Sequence, residues 1–133
     1  MAVMPLLHFH LVENAWTSAE IQTLLDIAYD TTLTAFGAPQ GDRYQIVSKH
    51  PANELILGDT GLGFTRSNRR VVLSIRTRPR TAAQKRQFYQ LLSDRYAEAL
   101  KLDRQDLMIN LVTNTDEDWS FHAGHAEFLD GEL

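Results

Sequence analysis

Thr17-Ser18-Ala19-Glu20 recurs 64 positions later as Thr81-Ala82-Ala83-Gln84. Each stretch has the capping-box pattern, in which a threonine and a Glu or Gln three residues on satisfy each other's backbone N–H groups at the start of a helix. The pattern therefore predicts two helices that begin at equivalent positions of a repeated unit.

A strand is predicted before and after each helix. Leu6 to Val12 and Arg70 to Arg76 are rich in apolar and β-branched residues and are predicted as the leading strands. The strands after the helices are predicted around Tyr44–Val47 and Met108–Leu111, again separated by 64 residues. Each half of the chain is thus predicted to be a strand-helix-strand unit.

The helical periodicity also predicts which residues face the core. On the first helix they are Ile21, Leu24, Leu25, Ala28 and Thr32, and on the second Phe88, Leu91, Leu92, Arg95 and Ala99, with Arg95 at the edge.

Two right-handed β-α-β units predict an α+β fold, an α/β sandwich with a four-stranded sheet and two helices on one face. We expect residues 1–133 to form a single domain, with halves at about 5–50 and 69–114 and a C-terminal tail at 115–133. The other face of the sheet would be uncovered and apolar. Such a face predicts an oligomer whose subunits pack sheet against sheet.

The composition excludes several classes of protein. The 133 residues include no cysteine, so disulfides and thiolate metal ligands are excluded and we expect a cytoplasmic protein. The apolar start of the chain has no basic region and is interpreted as a strand rather than a signal peptide, and we expect no membrane partner. A net charge of −4 argues against binding to nucleic acid. Residues 60–93, however, contain no Asp or Glu and carry eight Lys or Arg, which predicts a positive region that attracts small anions.

Arg78-Pro79-Arg80 is the first candidate for chemistry within that region. Proline restricts its own φ and biases the preceding residue toward extended geometry, in which residues two apart point the same way. Two planar guanidinium groups on one side can orient a carboxylate. The alternative is the end of a strand flanked by solvated arginines.

Pro5 is the second candidate. If translation begins at Met4 and that methionine is removed, Pro5 carries a free secondary amine that can act as an acid or a base, with Asp42 as a group that tunes it. In the chain as given, residues 1–4 precede it and its nitrogen is an amide. We expect the true start to lie downstream of Met1. The alternative is a proline at the first position of an edge strand.

Five motifs resemble a known family when taken together and in order. They are Pro5-Leu6-Leu7, residues 41–47 (GDRYQIV), residues 59–63 (DTGLG), Arg78-Pro79-Arg80 and residues 118–121 (DWSF). The chain resembles the malonate semialdehyde decarboxylases of the tautomerase superfamily from Pro5 to Leu133. The resemblance implies paired β-α-β units that assemble as a homotrimer.

The resemblance also implies roles for particular residues. Pro5 would be a cationic acid at the aldehyde oxygen, Arg78 and Arg80 would bind the carboxylate, and Asp42 would be needed for activity. An apolar wall around the substrate would be formed by Trp119, Phe121 and Phe128. The implied reaction converts malonate semialdehyde (3-oxopropanoate) to acetaldehyde and carbon dioxide with no metal and no organic cofactor.

Other functions stay open from the sequence. A related hydratase activity on small unsaturated acids would use the same groups. A tautomerase of small 2-oxo acids would use neutral Pro5 as a base, and a catalytically silent anion-binding trimer would result if Pro5 is not the terminus. We interpret His122 and His125 as polar packing rather than metal ligands, and residues 116–118 (DED) as a solvated loop.

Overall fold

A computed structural model describes residues 5–133. Its regular elements are β1 (Leu6–Val12), α1 (Ser18–Phe36), β2 (Tyr44–His50), β3 (Val71–Thr77), α2 (Ala82–Leu100) and β4 (Leu107–Thr113). Short 3₁₀ turns lie at Ala52–Glu54, Arg104–Asp106 and Asp116–Asp118. The predicted pair of β-α-β units is confirmed. The leading strand of the second unit begins and ends one residue later than predicted, and both second strands extend beyond the predicted cores.

Both predicted capping boxes are present. The hydroxyl of Thr17 accepts a hydrogen bond from the backbone N–H of Glu20 (3.1 Å), whose side chain accepts one from the N–H of Thr17 (3.0 Å). Thr81 and Gln84 make the same reciprocal pair at 3.1 and 2.9 Å. Because two otherwise unpaired donors are satisfied at each start, both helices begin where the repeated sequence motif predicted.

The sheet has the order β2-β1-β3-β4, with an antiparallel central pair and a parallel pair on each side. Leu6 lies opposite Tyr44 on one side and Arg76 on the other, and Thr77 lies opposite Thr113. The starts of β1 and β2 therefore meet the ends of β3 and β4. We call this end of the strands the site edge. The predicted site residues either come just before β1 and β2 or follow β3 and β4.

The helices cover one face of the sheet, and the core lies between the two layers. Fully buried side chains include Leu7, Phe9, Leu11, Val71, Leu73 and Ile75 from the central strands and Leu24, Ala28, Phe88 and Leu92 from the helices. The predicted face of α2 is wrong in part. Its buried residues are Phe88, Leu92, Tyr96 and Leu100, whereas Leu91 is half-buried and Ala99 is exposed. Arg95 is half-buried, as expected of a residue at the edge of this face.

Tyr96 accounts for the difference between the predicted and the buried face of α2. Its hydroxyl donates a hydrogen bond to the backbone oxygen of Leu24 on α1 (2.7 Å), so the polar end of a fully buried ring is satisfied. A buried tyrosine normally finds such a partner. Sequence periodicity treats tyrosine as partly polar and cannot see an acceptor on another helix.

The uncovered face of the sheet is less apolar than predicted. His8 and His10 share this face, with ring centres 4.1 Å apart. His8 Nε2 lies 2.7 Å from the Ser48 hydroxyl and His10 Nδ1 lies 2.8 Å from His50 Nε2. The expectation of an apolar uncovered face is therefore wrong in part, since β1 and β2 place a row of polar side chains there in register. None of the helices in residues 5–133 is long and apolar enough to cross a membrane.

Candidate active site

Pro5 and Asp42 line one closely packed cleft at the site edge, too narrow to admit a water molecule, together with Tyr29, Thr32 and Tyr44. Pro5 is buried immediately before β1, and Asp42 is half-buried two residues before β2. These strands are parallel neighbours, so the residues that precede them meet. The loop that carries Asp42 is held on α1, because the backbone N–H of Gly41 donates to the hydroxyl of Tyr29 (2.7 Å).

Arg80 lies against the end of α1. Its Nε donates to the hydroxyl of buried Thr77 (3.1 Å), and its Nη1 donates to the backbone oxygen of Phe36 (3.4 Å). The guanidinium also lies 5.1 Å from the ring centre of Phe36. Carbonyl groups at the end of a helix carry partial negative charge and attract a cation.

The electrostatic surroundings of Arg80 favour an anionic ligand. Burial, and secondarily the charge of Arg78, lower the pKa of Arg80 to about 10. That pKa remains far above neutrality, so Arg80 stays charged. The loss of solvation and the like charge of Arg78 both raise the free energy of charged Arg80. A carboxylate bound near the two arginines would lower that free energy.

Arg78 contacts a different part of the protein from Arg80. Its Nε donates to Asp116 Oδ1 (2.8 Å), and its guanidinium carbon lies 4.2 Å from the ring centre of Phe128. The two predicted arginines are thus close enough for the charge of Arg78 to lower the pKa of Arg80, while their guanidinium groups contact separate elements. β3 ends at Thr77, and a bend follows at Arg78, so the tripeptide is not a continuation of the strand.

The predicted aromatic wall forms one cluster. The ring centres of Trp119 and Phe121 are 5.4 Å apart and stacked, and Phe128 meets Phe121 edge-on at 5.5 Å. Trp119 is oriented by a hydrogen bond from its indole N–H to Asn114 Oδ1 (2.8 Å). Tyr44 joins this wall to the Pro5 cleft, because its ring centre lies 5.9 Å from that of Phe121.

Glu127 fastens the tail that carries the wall. It is buried, and its carboxylate accepts hydrogen bonds from the backbone N–H of Phe121 (3.1 Å) and from His122 Nδ1 (2.5 Å). The pKa of Glu127 is lowered, chiefly by the hydrogen bond from Phe121. The interpretation of His122 as polar packing agrees with this contact. The irregular tail is thus positioned by side-chain hydrogen bonds rather than by regular secondary structure.

Other arginines of the positive region serve the fold. Arg69 pairs with Glu20 (3.0 Å) and lies over the ring of Trp16 (4.2 Å). Arg70 donates to the backbone oxygens of Leu55 (2.8 Å) and Ala52 (2.7 Å). The charge run in the sequence therefore combines structural arginines with the pair at the site edge.

Sequence reasoning missed three residues of this site. Tyr44 was part of a predicted strand, Glu127 gave no signal, and Asp116 was assigned to a solvated loop. Glu117 and Asp118 are exposed and the side chain of Asp116 is half-exposed, as expected of a solvated loop, but the pairing of Asp116 with Arg78 was not predicted. The leader Met1–Met4, on which the chemistry of Pro5 depends, lies outside the described residues.

The arrangement is suited to a small carboxylate. Two cationic side chains, a carboxylate and a proline cleft lie beside an apolar wall at one edge of the sheet. Within residues 5–133, no group of three or more histidine or carboxylate side chains is arranged to hold a metal ion.

Comparison with known proteins gives matches over most of the chain. A family model described as a tautomerase enzyme matches residues 42–122. The probable tautomerase YrdN of Bacillus subtilis (strain 168) is 45% identical over 130 residues, which cover 98% of this chain and 100% of that protein.

Solved structures give a consistent result. A malonate semialdehyde decarboxylase, whose structures are described as a basis for decarboxylase and hydratase activities, matches with a TM-score of 0.91 and 45% identity over 96% of this chain and 98% of its own. The FG41 malonate semialdehyde decarboxylase inhibited by 3-bromopropiolate matches with a TM-score of 0.90 and 28% identity, over 96% and 97% of the two chains. A fused 4-OT described as a symmetric trimer shares the fold at a TM-score of 0.76 and 20% identity, over 95% and 98% of the two chains.

Proposed function

This chain belongs to the tautomerase superfamily, and from that premise we propose that it catalyses the cofactor-free decarboxylation of malonate semialdehyde to acetaldehyde and carbon dioxide. The observation that supports the proposal is a chain of contacts at one end of the sheet: Tyr44 of the Pro5 and Asp42 cleft contacts Phe121 of the aromatic wall, and Arg78 contacts Phe128 of the same wall. The 45% identity to a malonate semialdehyde decarboxylase over nearly the whole chain supports the same reaction.

The two arginines would bind and orient the carboxylate of the substrate. Decarboxylation is fastest when the breaking carbon–carbon bond lies perpendicular to the plane of the carbonyl group, because the released electron pair then enters the π system. Two guanidinium groups anchored on different elements can hold that orientation. Charge pairing also stabilises the anionic ground state, so the gain must come from orientation.

Pro5 would supply the acid. With a free and protonated amine, Pro5 donates a hydrogen bond to the aldehyde oxygen, where negative charge grows as carbon dioxide leaves. The carboxylate of Asp42 in the same cleft favours the protonated amine, whereas burial and the two arginines oppose it. The enolate that forms takes up one proton at carbon, which comes ultimately from solvent, and becomes acetaldehyde. The overall reaction therefore consumes one solvent proton and needs no added cofactor.

The aromatic wall would favour the departing group. Carbon dioxide is neutral and apolar, so Trp119, Phe121 and Phe128 offer it a better environment than they offer the charged carboxylate that precedes it. The same rings limit access of water to the enolate. Hydration of small unsaturated acids would use the same acid and the same carboxylate clamp, and we propose it as a side activity.

Tautomerisation of small 2-oxo acids is the second candidate. It is supported by the 45% identity of this chain to YrdN, a probable tautomerase. In that reaction Pro5 would be neutral and would remove a proton from carbon. A catalytically silent anion-binding trimer is the remaining alternative, and it requires that Pro5 stay acylated.

The decisive experiment compares chains that begin at Met1 and at Pro5. We expect release of carbon dioxide from malonate semialdehyde only by the chain that begins at Pro5, because an amide nitrogen cannot act as the acid. Borohydride trapping in the presence of substrate tests whether an imine forms. Absence of carbon dioxide release above the uncatalysed rate, together with turnover of a 2-oxo acid, would replace the decarboxylase by the tautomerase.

We also propose that the protein is a homotrimer. The support is the uncovered face of the sheet, on which half-buried His8, His10 and Ser48 have no helix over them. Sedimentation equilibrium gives the mass of the assembly directly, and a monomer at micromolar concentration would exclude the proposal.

A further inference from the structure

We infer that Asp116 is a positioning residue for Arg78. Its carboxylate holds the Nε side of the Arg78 guanidinium, and its negative charge weakens the electrostatic attraction between Arg78 and the carboxylate of the bound substrate. This inference rests on the proposed function, in which Arg78 binds the carboxylate of the substrate. It gives a role to a negatively charged residue beside a site that would bind negatively charged substrates.

The contacts of Arg78 constrain its guanidinium in two directions. Asp116 Oδ1 accepts from Nε at 2.8 Å, which fixes one edge of the planar group. The ring of Phe128 lies 4.2 Å from the guanidinium carbon, which fixes one face. A planar group held at an edge and a face has little freedom to rotate, so its orientation toward a ligand is set before the ligand arrives.

Asp116 is itself held by a short turn. Asn114, directly after β4, donates its backbone N–H to the oxygen of Thr77 at the end of β3 (2.8 Å). The side chain of Asp118 then accepts hydrogen bonds from the backbone N–H (2.8 Å) and hydroxyl (3.1 Å) of Thr115. These bonds tie the turn at residues 114–118 to the same strand that leads into Arg78. Hydrogen bonds therefore hold the chain on both sides of Asp116.

The exposure of Arg78 and Asp116 indicates how strongly solvent screens each charge. The side chain of Arg78 is 17% exposed, whereas that of Asp116 is 49% exposed. Solvent screens a half-exposed carboxylate, so Asp116 reduces the attraction between Arg78 and a substrate anion without cancelling it. Decarboxylation destroys the carboxylate that Arg78 binds, so tight binding of that carboxylate in the ground state raises the activation free energy. Weaker binding by Arg78 raises it by less.

Asn and Ala at position 116 separate orientation from charge. Asp116→Asn keeps an oxygen acceptor for Nε but removes the negative charge. We expect both KM and kcat to fall by about two- to fivefold, the size typical of a screened ion pair, with kcat/KM little changed. Asp116→Ala removes the anchor as well, and we expect kcat/KM to fall about tenfold or more because the guanidinium is no longer oriented.

The experiment uses the chain that begins at Pro5, and Glu117→Gln is the matched control. Glu117 is the exposed neighbour of Asp116, and its substitution removes one negative charge from the same turn. We expect wild-type kinetics from this control. Equal unfolding midpoints for all three variants and the wild type ensure that the turn is intact.

A spectroscopic measurement reports on the contact itself. The Nε–H resonance of Arg78, assigned by its disappearance in Arg78→Lys, is expected to be shifted by its hydrogen bond in the wild type and in Asp116→Asn. It is expected to move to the position of a solvated arginine in Asp116→Ala. An unchanged resonance in Asp116→Ala, or the same drop in KM for Glu117→Gln as for Asp116→Asn, would overturn the inference.

Binding of propionate, a three-carbon carboxylate that cannot decarboxylate, separates this inference from the proposed function. If the wild-type chain releases no carbon dioxide, the decarboxylase proposal fails, and propionate affinity still tests Asp116. Tighter binding in Asp116→Asn and weaker binding in Asp116→Ala would support the positioning role. Equal affinities in all variants would reject it.

Discussion

The ring centre of Tyr44 lies 5.9 Å from that of Phe121, and this contact joins the start of β2 to the irregular tail. Tyr44 also lines the cleft that holds Pro5 and Asp42. The aromatic wall is therefore supported on the sheet, although the residues that form it belong to a segment without a strand or an α-helix.

Replacement of Tyr44 tests that support. Tyr44→Ala should lower kcat/KM for malonate semialdehyde about tenfold, because both the lining of the cleft and the contact with Phe121 are lost. Tyr44→Phe keeps the ring and should stay close to the wild type. Steady-state kinetics on the two variants check this, and equal losses would instead assign the effect to the hydroxyl group.

Replacement of either arginine should abolish most of the turnover. Arg78→Ala and Arg80→Ala should each reduce kcat/KM by about a hundredfold or more, since a charged anchor for the carboxylate is removed from a partly buried site. Arg86→Ala, at an exposed position of α2, serves as the control and should behave like the wild type. Sedimentation should show the same assembly in all three. Normal turnover in Arg78→Ala or Arg80→Ala would reject the clamp.

Asp42 is expected to act through Pro5. Asp42→Asn removes the carboxylate that favours a protonated amine in the shared cleft, so activity should fall about tenfold or more at neutral pH and recover in part at lower pH. The check is the pH profile of kcat/KM for this variant beside that of the wild type. An unchanged rate would assign Asp42 to the structure of the loop.

The direction of the pH profile separates the two candidate reactions. A decarboxylase that uses protonated Pro5 loses kcat/KM as pH rises through the pKa of the amine, whereas a tautomerase that uses neutral Pro5 gains it. Assays of malonate semialdehyde and of a small 2-oxo acid over the same pH range provide the test. The chain that begins at Met1 should give neither profile.

His10 should make the stability depend on pH. Burial, and then the neighbouring His8 and His50, lower the pKa of His10. The unfolded chain takes up a proton near its usual pKa of about 6.5, while folded His10 stays neutral until a lower pH. The contribution of His10 to the free energy of unfolding should therefore be highest above the unfolded pKa of about 6.5 and should fall as the pH drops from there toward the lower pKa of folded His10.

Urea unfolding of the wild type and of His10→Gln checks this dependence. Glutamine can still form a hydrogen bond but does not titrate, so the variant should lose stability less steeply between about pH 6.5 and pH 5. His8→Gln removes one cause of the lowered pKa of His10, so its slope should lie between those of the wild type and His10→Gln. Equal slopes in the wild type and His10→Gln would contradict the prediction.

The sequence determined the repeated architecture, because its signals are local. A capping box needs only residues three apart, and the alternation of apolar residues along β1 and β3 needs only near neighbours. Two such units in order left few topologies to consider. The motifs around Pro5, Asp42 and Arg78-Pro79-Arg80 were likewise readable, since each is a short contiguous stretch.

Only the tertiary structure decided what those motifs touch. Asp116 is 38 positions from Arg78, the oxygen that accepts from Tyr96 belongs to another helix, and Tyr44 meets Phe121 across the gap between a strand and the tail. No periodicity within a window of residues encodes such pairs, because they depend on which strand ends the sheet brings to one edge. For that reason the sequence did not predict the pairing of half-exposed Asp116 with Arg78, or the hydrogen-bonded histidines on a face expected to be apolar.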